Sequence, residues 1–204
     1  HEQPRIDTAL KTIADKYGAI YLESPEEKII YLTFDEGYEN GYTEKILDVL
    51  EEKNVNAIFF LTGHYIDSAK DLVLRMKEDG HVLANHSNLH KNITTLNRGQ
   101  IEEEIKGLEI KYNNLTGSNL TKFFRPPAGN FDQKSLEVVK DLGYVPLFWS
   151  VAYKDWDHKN GLDFAVQEVC KNIHNGAIIL LHAVSSDNAL ALSSIIDKLQ
   201  DEGY

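Results

Sequence analysis

Residues 173–181 read IHNGAIILL, a polar stretch that ends in Asn-Gly and runs straight into five apolar residues. The same grammar recurs as KEDGHVLA at 77–84 and KDLGYVPLFW at 140–149. Glycine relieves the left-handed backbone position that closes a helix. The β-branched and aromatic residues that follow suit a buried strand. Helix, glycine and strand repeated in this way read as successive βα units around a mostly parallel sheet.

Working outward, strands are expected near 28–34, 55–61, 81–84, 122–125, 145–150 and 177–181. Helices are expected near 42–53, 66–79, 98–116, 133–142, 161–174 and 188–202. Ile101, Ile105, Leu108, Tyr112 and Leu115 step by three or four and form one apolar stripe. Asn97 is placed to cap that helix, with Glu102, Glu103 and Glu104 expected in its first turn. Leu192, Ile195, Ile196 and Leu199 make a second stripe. Residues 201–204, Asp-Glu-Gly-Tyr, repeat the helix-ending signal. A last strand is therefore expected beyond Tyr204. The expected architecture is an α/β distorted (β/α) barrel of about seven units, mostly parallel. Residues 1–27 are expected as an N-terminal extension packed on a domain spanning 28–204.

At 204 residues the chain can bury one full core. Its formal net charge of −11 argues against nucleic acid as a partner, since phosphate backbones reward clustered Lys and Arg. No apolar run is long enough for a membrane span. Cys170 is the only cysteine, so no internal disulfide is possible, and this leaves the compartment open. No secretory signal is read, but a chain beginning at His1 reads as trimmed. The oligomeric state is not legible.

Five segments carry polar groups at or just after apolar runs. In TFDEG, 33–37, successive residues leaving a strand point different ways. One of Asp35 and Glu36 can then hold a metal while the other stays free as a base; the plain alternative is a solvated loop. In HSNLH, 86–90, His86 and His90 stand four apart, which on a helical turn puts both imidazoles on one face, as a divalent metal requires. Ser87 and Asn88 are placed to orient them. The alternative is a pair of surface histidines. In FFRPPAGNF, 123–131, two prolines stiffen the chain after Arg125, and the first free amides are those of Ala128 and Gly129. They suit an oxyanion cradle, or form a structural turn. FWSVAYKDWD, 148–157, sets Asp155 beside Trp156, whose ring suits a sugar face or a core edge. His182 ends the most apolar run in the chain, as a core histidine or a catalytic one.

These segments, in this order, resemble the polysaccharide deacetylases of carbohydrate esterase family 4, the NodB-homology domain, over roughly 29–204. The carrying motifs are Thr33-Phe34-Asp35-Glu36-Gly37, His86-Ser87-Asn88-Leu89-His90, Arg125-Pro126-Pro127-Ala128-Gly129, Asp155-Trp156 and Leu180-Leu181-His182. Within the family, YENGYT, FWSVAYKDW and HAVSSDNA look most like the peptidoglycan N-acetylmuramic acid deacetylases. The resemblance implies metal-dependent, hydrolytic de-N-acetylation of a cell-wall glycan, with release of acetate. N-acetylmuramic acid in spore-cortex peptidoglycan is the implied substrate. N-acetylglucosamine polymers are the second reading, and a catalytically silent glycan-binding domain is the rival from another class.

The resemblance also assigns roles. Glu36, His86 and His90 would hold a divalent metal, zinc first. Asp35 would be the general base, Arg125 its partner, His182 the acid and Asp155 the partner of His182. Ala128 and Gly129 would contact the substrate with Trp156. Such an enzyme works outside the cytoplasm, in the envelope or forespore space of a Gram-positive bacterium. Three positions depart from the pattern. Glu36 replaces the usual aspartate, so its carboxylate reaches about 1.5 Å further. Ala152 stands where an acid is often found. Ala128 stands where muramic-type members carry an arginine, leaving Lys154 or Lys159 to meet a lactyl carboxylate.

Overall fold

The computed structural model describes residues 3–4, 7–156 and 160–204. Among them are seven strands and eight α-helices. β1 (Ile30–Glu36), β2 (Ile58–Leu61), β3 (Val82–Asn85), β4 (Phe123–Phe124), β5 (Val145–Pro146), β6 (Val151–Ala152) and β7 (Ala177–His182) form one sheet in the order β5-β4-β3-β2-β1-β7-β6. Every strand pairing in it is parallel.

That order forces the sheet to curl. β5 and β6 lie on opposite edges, yet only Leu147–Ser150 separates them in sequence. A flat sheet of this width would hold its edges roughly 29 Å apart, at about 4.8 Å per strand spacing. The chain from Pro146 to Val151 spans at most about 18 Å when fully extended. The edges are therefore drawn together, and the sheet is the distorted α/β barrel that the βα grammar predicts. Ile20 pairs with Leu147 beside the β5 edge, and Tyr17, Leu136 and Phe148 pack beneath it.

The strands sort their side chains by parity. Leu32, Phe34, Leu61, Ile179 and Leu181 face outward into the large core. There they meet α2 (Thr43–Glu52), α3 (Gly63–Ser68), α4 (Lys70–Glu78), α5 (Arg98–Thr116), α7 (Leu162–Cys170) and α8 (Ser186–Asp201). Phe34 stacks on Phe59 at 5.2 Å between centroids. Phe60, Ala84 and Ile178 face inward and fill the barrel. The remaining helices are α1 (Thr8–Lys16) and α6 (Gln133–Asp141).

Four expectations need adjustment. The helix expected over 66–79 is two helices, because Ala69 leaves helical geometry at φ −128° and ψ 43°. The strand expected over 145–150 breaks after Pro146 and resumes at Val151, which lets Trp149 reach the barrel mouth. α5 starts at Arg98 under a capping box between Asn97 and Gln100, so the acids at 102–104 lie beyond its first turn. The HSNLH segment is a loop and not a helical turn: Ser87 and His90 both have positive φ, at 68° and 54°.

Gly63 shows how tightly that loop is seated. Its N–H donates to the Asn88 carbonyl at 3.0 Å, and a Cβ there would sit 2.0 Å from Asn88 Oδ1. Gly63→Ala is therefore expected to cost about 1–3 kcal/mol, as overpacking of a closed site does. Denaturant melts measure this; unchanged stability would mean that the loop yields freely.

Candidate active site

A cavity of about 810 Å³ opens where the strands end. Asp35, His86, His90, Ala128, Trp156 and His182 all line it. Parallel folds build sites at this end because strand termini and their loops converge there. Asp35 and His182 are paired neighbours in the β1–β7 register, so adjacent strands present them side by side.

Asp35 points inward by the parity that puts Thr33 inward. Arg125 follows β4 and is fully buried. Its Nη1 donates to Asp35 Oδ1 at 2.7 Å and to Thr33 Oγ1 at 2.8 Å. Nε donates to the Leu147 carbonyl at 3.1 Å, and Nη2 to the Phe148 carbonyl at 2.9 Å. Burial alone would raise the Asp35 pKa. The charge and hydrogen bond of Arg125, with the charge of His182, outweigh it and hold the carboxyl below its ordinary range. Asp35 is thus an ionised base with one oxygen tied to Arg125.

His86 follows β3 and is buried. Its Nδ1 is 2.8 Å from the Arg125 carbonyl, an acceptor, so Nδ1 carries the proton. Nε2 is then unprotonated and lies 3.4 Å from Asp35 Oδ2. Burial pushes the His86 pKa down to about 4, which keeps the ring neutral. The His90 ring meets it edge-on, 4.8 Å between centroids. The loop's left-handed turns are held from α5. Glu104 accepts the Leu89 N–H at 2.7 Å through Oε2, and its carbonyl accepts the Asn88 N–H at 2.9 Å. Glu104 was legible in sequence only as a helix acid. Its burial, at 4% exposure, marks it as a support of the site.

Glu36 stands apart. It shares strand parity with Leu32 and Phe34, is fully buried, and does not line the cavity. Both its carboxylate oxygens are buried without a hydrogen-bond partner. Burial, then the charges of Glu39 and Asp35, push its pKa well above the carboxylate range. The donor set Glu36, His86 and His90 is not assembled. Among the described residues no three His, Cys, Asp or Glu side chains are arranged to hold a metal. A divalent ion would find two imidazole donors here, with no third ligand arranged beside them.

His182 ends β7. Its Nδ1 is 2.8 Å from Asp155 Oδ1, and its backbone N–H donates to Asp155 Oδ2 at 2.7 Å. Burial lowers its pKa, but the hydrogen bond and charge of Asp155 outweigh this and raise it above the usual imidazole value. The Trp156 ring stands edge-on to His182 at 4.9 Å and is largely exposed. Tyr38, Leu89 and Trp149 join it around the opening. Trp149 was not singled out in sequence, because its approach depends on the break between β5 and β6.

The turn after Arg125 divides its two amides. Gly129 N–H donates to the Pro126 carbonyl at 2.9 Å, so it is spent within the turn. Ala128 holds a left-handed φ of 53° and lines the cavity. Gly129 does not line it, and a Cβ at Gly129 would come 2.7 Å from the Trp149 ring. Of the two, Ala128 is the one placed at the reacting end. Lys154 is exposed and lies outside the cavity lining, and Lys159 lies outside the described residues.

A family model described as polysaccharide deacetylase matches residues 23–147. The chain belongs to the polysaccharide deacetylase family. It is 43% identical to the peptidoglycan-N-acetylmuramic acid deacetylase PdaA of Bacillus subtilis, over all of this chain and 78% of that protein. The solved structure of that protein, a family 4 carbohydrate esterase, superposes with a TM-score of 0.97, 42% identity, and coverage of 100% of this chain and 88% of the other. A family 4 carbohydrate esterase from Bacillus anthracis superposes at 0.87, with 45% identity and coverage of 100% and 91%. A family 4 pseudoenzyme from the same organism superposes at 0.86, with 29% identity and coverage of 91% and 65%.

Glu36→Gln tests the separation of Glu36 from the histidines. A carboxyl whose folded pKa is raised adds stability that is full below its unfolded pKa, near 4.5, and lost as pH rises through the folded value. The glutamine variant is therefore expected to gain stability over wild type as pH rises above that lower value. Thermal melts across pH measure this. Metal content by elemental analysis is expected to be unchanged; its loss in the variant would place Glu36 among the ligands.

Proposed function

We propose that this protein hydrolyses the acetamide of N-acetylmuramic acid in peptidoglycan, the spore-cortex type included, and releases acetate. The observation that carries this reading is the pairing of Asp35 and His182 side by side in one cavity, with environments that push their pKa values apart. One is an ionised base and the other a proton-bearing acid at the same pH, which amide hydrolysis requires. Similarity over the whole chain to PdaA supports the substrate. Under this reading the protein acts outside the cytoplasm. Among the described residues no helix is long and apolar enough to cross a membrane.

In this scheme the Asp35 carboxylate takes a proton from the attacking water, while Arg125, itself held by Thr33, fixes its orientation. The carbonyl oxygen of the acetamide gains charge in the tetrahedral intermediate and is received by the Ala128 N–H. His182 delivers a proton to the leaving nitrogen, and its positive charge before transfer is balanced by Asp155. Trp156 and Trp149 offer flat faces to a sugar ring. Retention of both the base and the acid separates this reading from a silent glycan-binding domain, for which neither is needed.

One observation favours a second sugar. Among the described residues no Lys or Arg lines the cavity. A lactyl carboxylate would meet no fixed cation there, whereas N-acetylglucosamine needs none.

Mass spectrometry of muropeptides after digestion with the protein is expected to show loss of acetyl from muramic acid. Loss from glucosamine would transfer the assignment to the second sugar. Asp35→Asn is expected to lower acetate release by at least about 100-fold, the scale of a lost general base, with a native circular dichroism spectrum. Retained activity would remove Asp35 as the base.

A further inference from the structure

Asn188 lies in the first turn of α8 and is 1% exposed. In the sequence it stands within the stretch HAVSSDNA, with no role of its own assigned. Its Nδ2 donates to Asp155 Oδ2 and, at 3.1 Å, to the His182 carbonyl. Its Oδ1 accepts from the Tyr153 hydroxyl. Its backbone N–H donates to Ser185 Oγ at 3.3 Å, the capping contact of the helix. Both amide N–H groups and the amide oxygen are thus engaged, as a buried amide requires.

The chemistry fixes which way the amide faces. Asp155 Oδ2 and the His182 carbonyl are acceptors, so both call for Nδ2. The Tyr153 hydroxyl then meets Oδ1 as a donor. Asp155 is left with three donors on two oxygens: the His182 N–H, the His182 ring and the Asn188 amide. The first two come from the residue being oriented. The Asn188 contact comes from a separate helix and sets the carboxylate plane independently of it. A carboxyl at 188 would face Asp155 Oδ2 with like charge and could not replace the amide.

We propose that Asn188, backed by Tyr153, is a positioning residue of the hydrolysis: it holds the Asp155 carboxylate in the plane that aims the His182 ring into the cavity. This rests on the function proposed above, in which His182 is the acid. The charged and titratable groups that act on His182 are Asp155 after β6, Asp35 on β1, Arg125 after β4 and His90 in the loop after β3. Only Asp155 is bonded to Asn188.

The test compares wild type, Asn188→Ala and Asn188→Asp in two measurements. One is acetate release from purified peptidoglycan across pH, and the other is titration of the His182 ring followed by NMR. Both variants are expected to lose kcat by about tenfold or more, within the range that general acid catalysis contributes, with KM nearly unchanged. In Asn188→Asp the added carboxyl is expected to move the alkaline limb of kcat and the His182 titration to higher pH. A folded Asn188→Ala with wild-type kcat and pH profile would overturn the proposal. If the alanine variant does not fold, the isosteric Asn188→Asp decides alone, and an unmoved His182 titration overturns it. If wild type releases no acetate, the proposed function fails, and the NMR titration still decides the role of Asn188.

Discussion

A single buried guanidinium ties the barrel's closure to its chemistry. Arg125 has no exposed surface, and a cation in that position must be compensated on every side. Its bonds reach Thr33 and Asp35 on β1, and the Leu147 and Phe148 carbonyls on the segment that crosses between the sheet's two edges. Its flat face lies 4.1 Å from the Phe60 ring. The backbone after Pro146 leaves the ladder at β5, and the arginine donates to the Leu147 and Phe148 carbonyls there. The group that fixes the general base thus also fixes the connection that draws the edges together. Lysine could not do this, since it lacks a planar fork to reach four acceptors in different directions.

The same economy governs the two sides of the site. On one side the loop at 86–90 adopts left-handed geometry at two non-glycine residues, a costly conformation that holds only where the surroundings over-determine it. Glu104, Ser87 and Asn85 supply that determination through backbone N–H bonds. On the other side His182 is held through Asp155. Each imidazole therefore has a defined tautomer set by an acceptor at Nδ1: a backbone carbonyl for His86 and a carboxylate for His182. The difference in acceptor charge explains their opposite behaviour. Burial dominates at His86 and keeps it neutral, while the carboxylate dominates at His182 and favours the proton.

Glu36 shows where a family pattern and local physics part. Sequence order places it in the motif position that the resemblance reads as a ligand. Strand parity turns it toward the helices, where it is fully buried without a hydrogen-bond partner. An unpaired buried carboxyl is held as the neutral acid, because desolvation penalises its charge.

Much of this protein was legible in the sequence. The three helix–glycine–strand stretches set a parallel α/β barrel, because a glycine-closed helix followed by an apolar run admits few other readings. Asp35, His86, Arg125, Asp155 and His182 were visible because each stands where an apolar strand ends, and polar residues there need a reason. What the sequence could not supply was direction and partnership between segments. The left-handed HSNLH loop, the exclusion of Glu36, the spent amide of Gly129 and the support given by Glu104 and Asn188 all depend on contacts between residues distant in sequence. Periodicity and residue type report the local fit of the chain to a strand or helix. Which side chain meets which across the barrel is set by register, curl and closure, and these exist only once the sheet has formed.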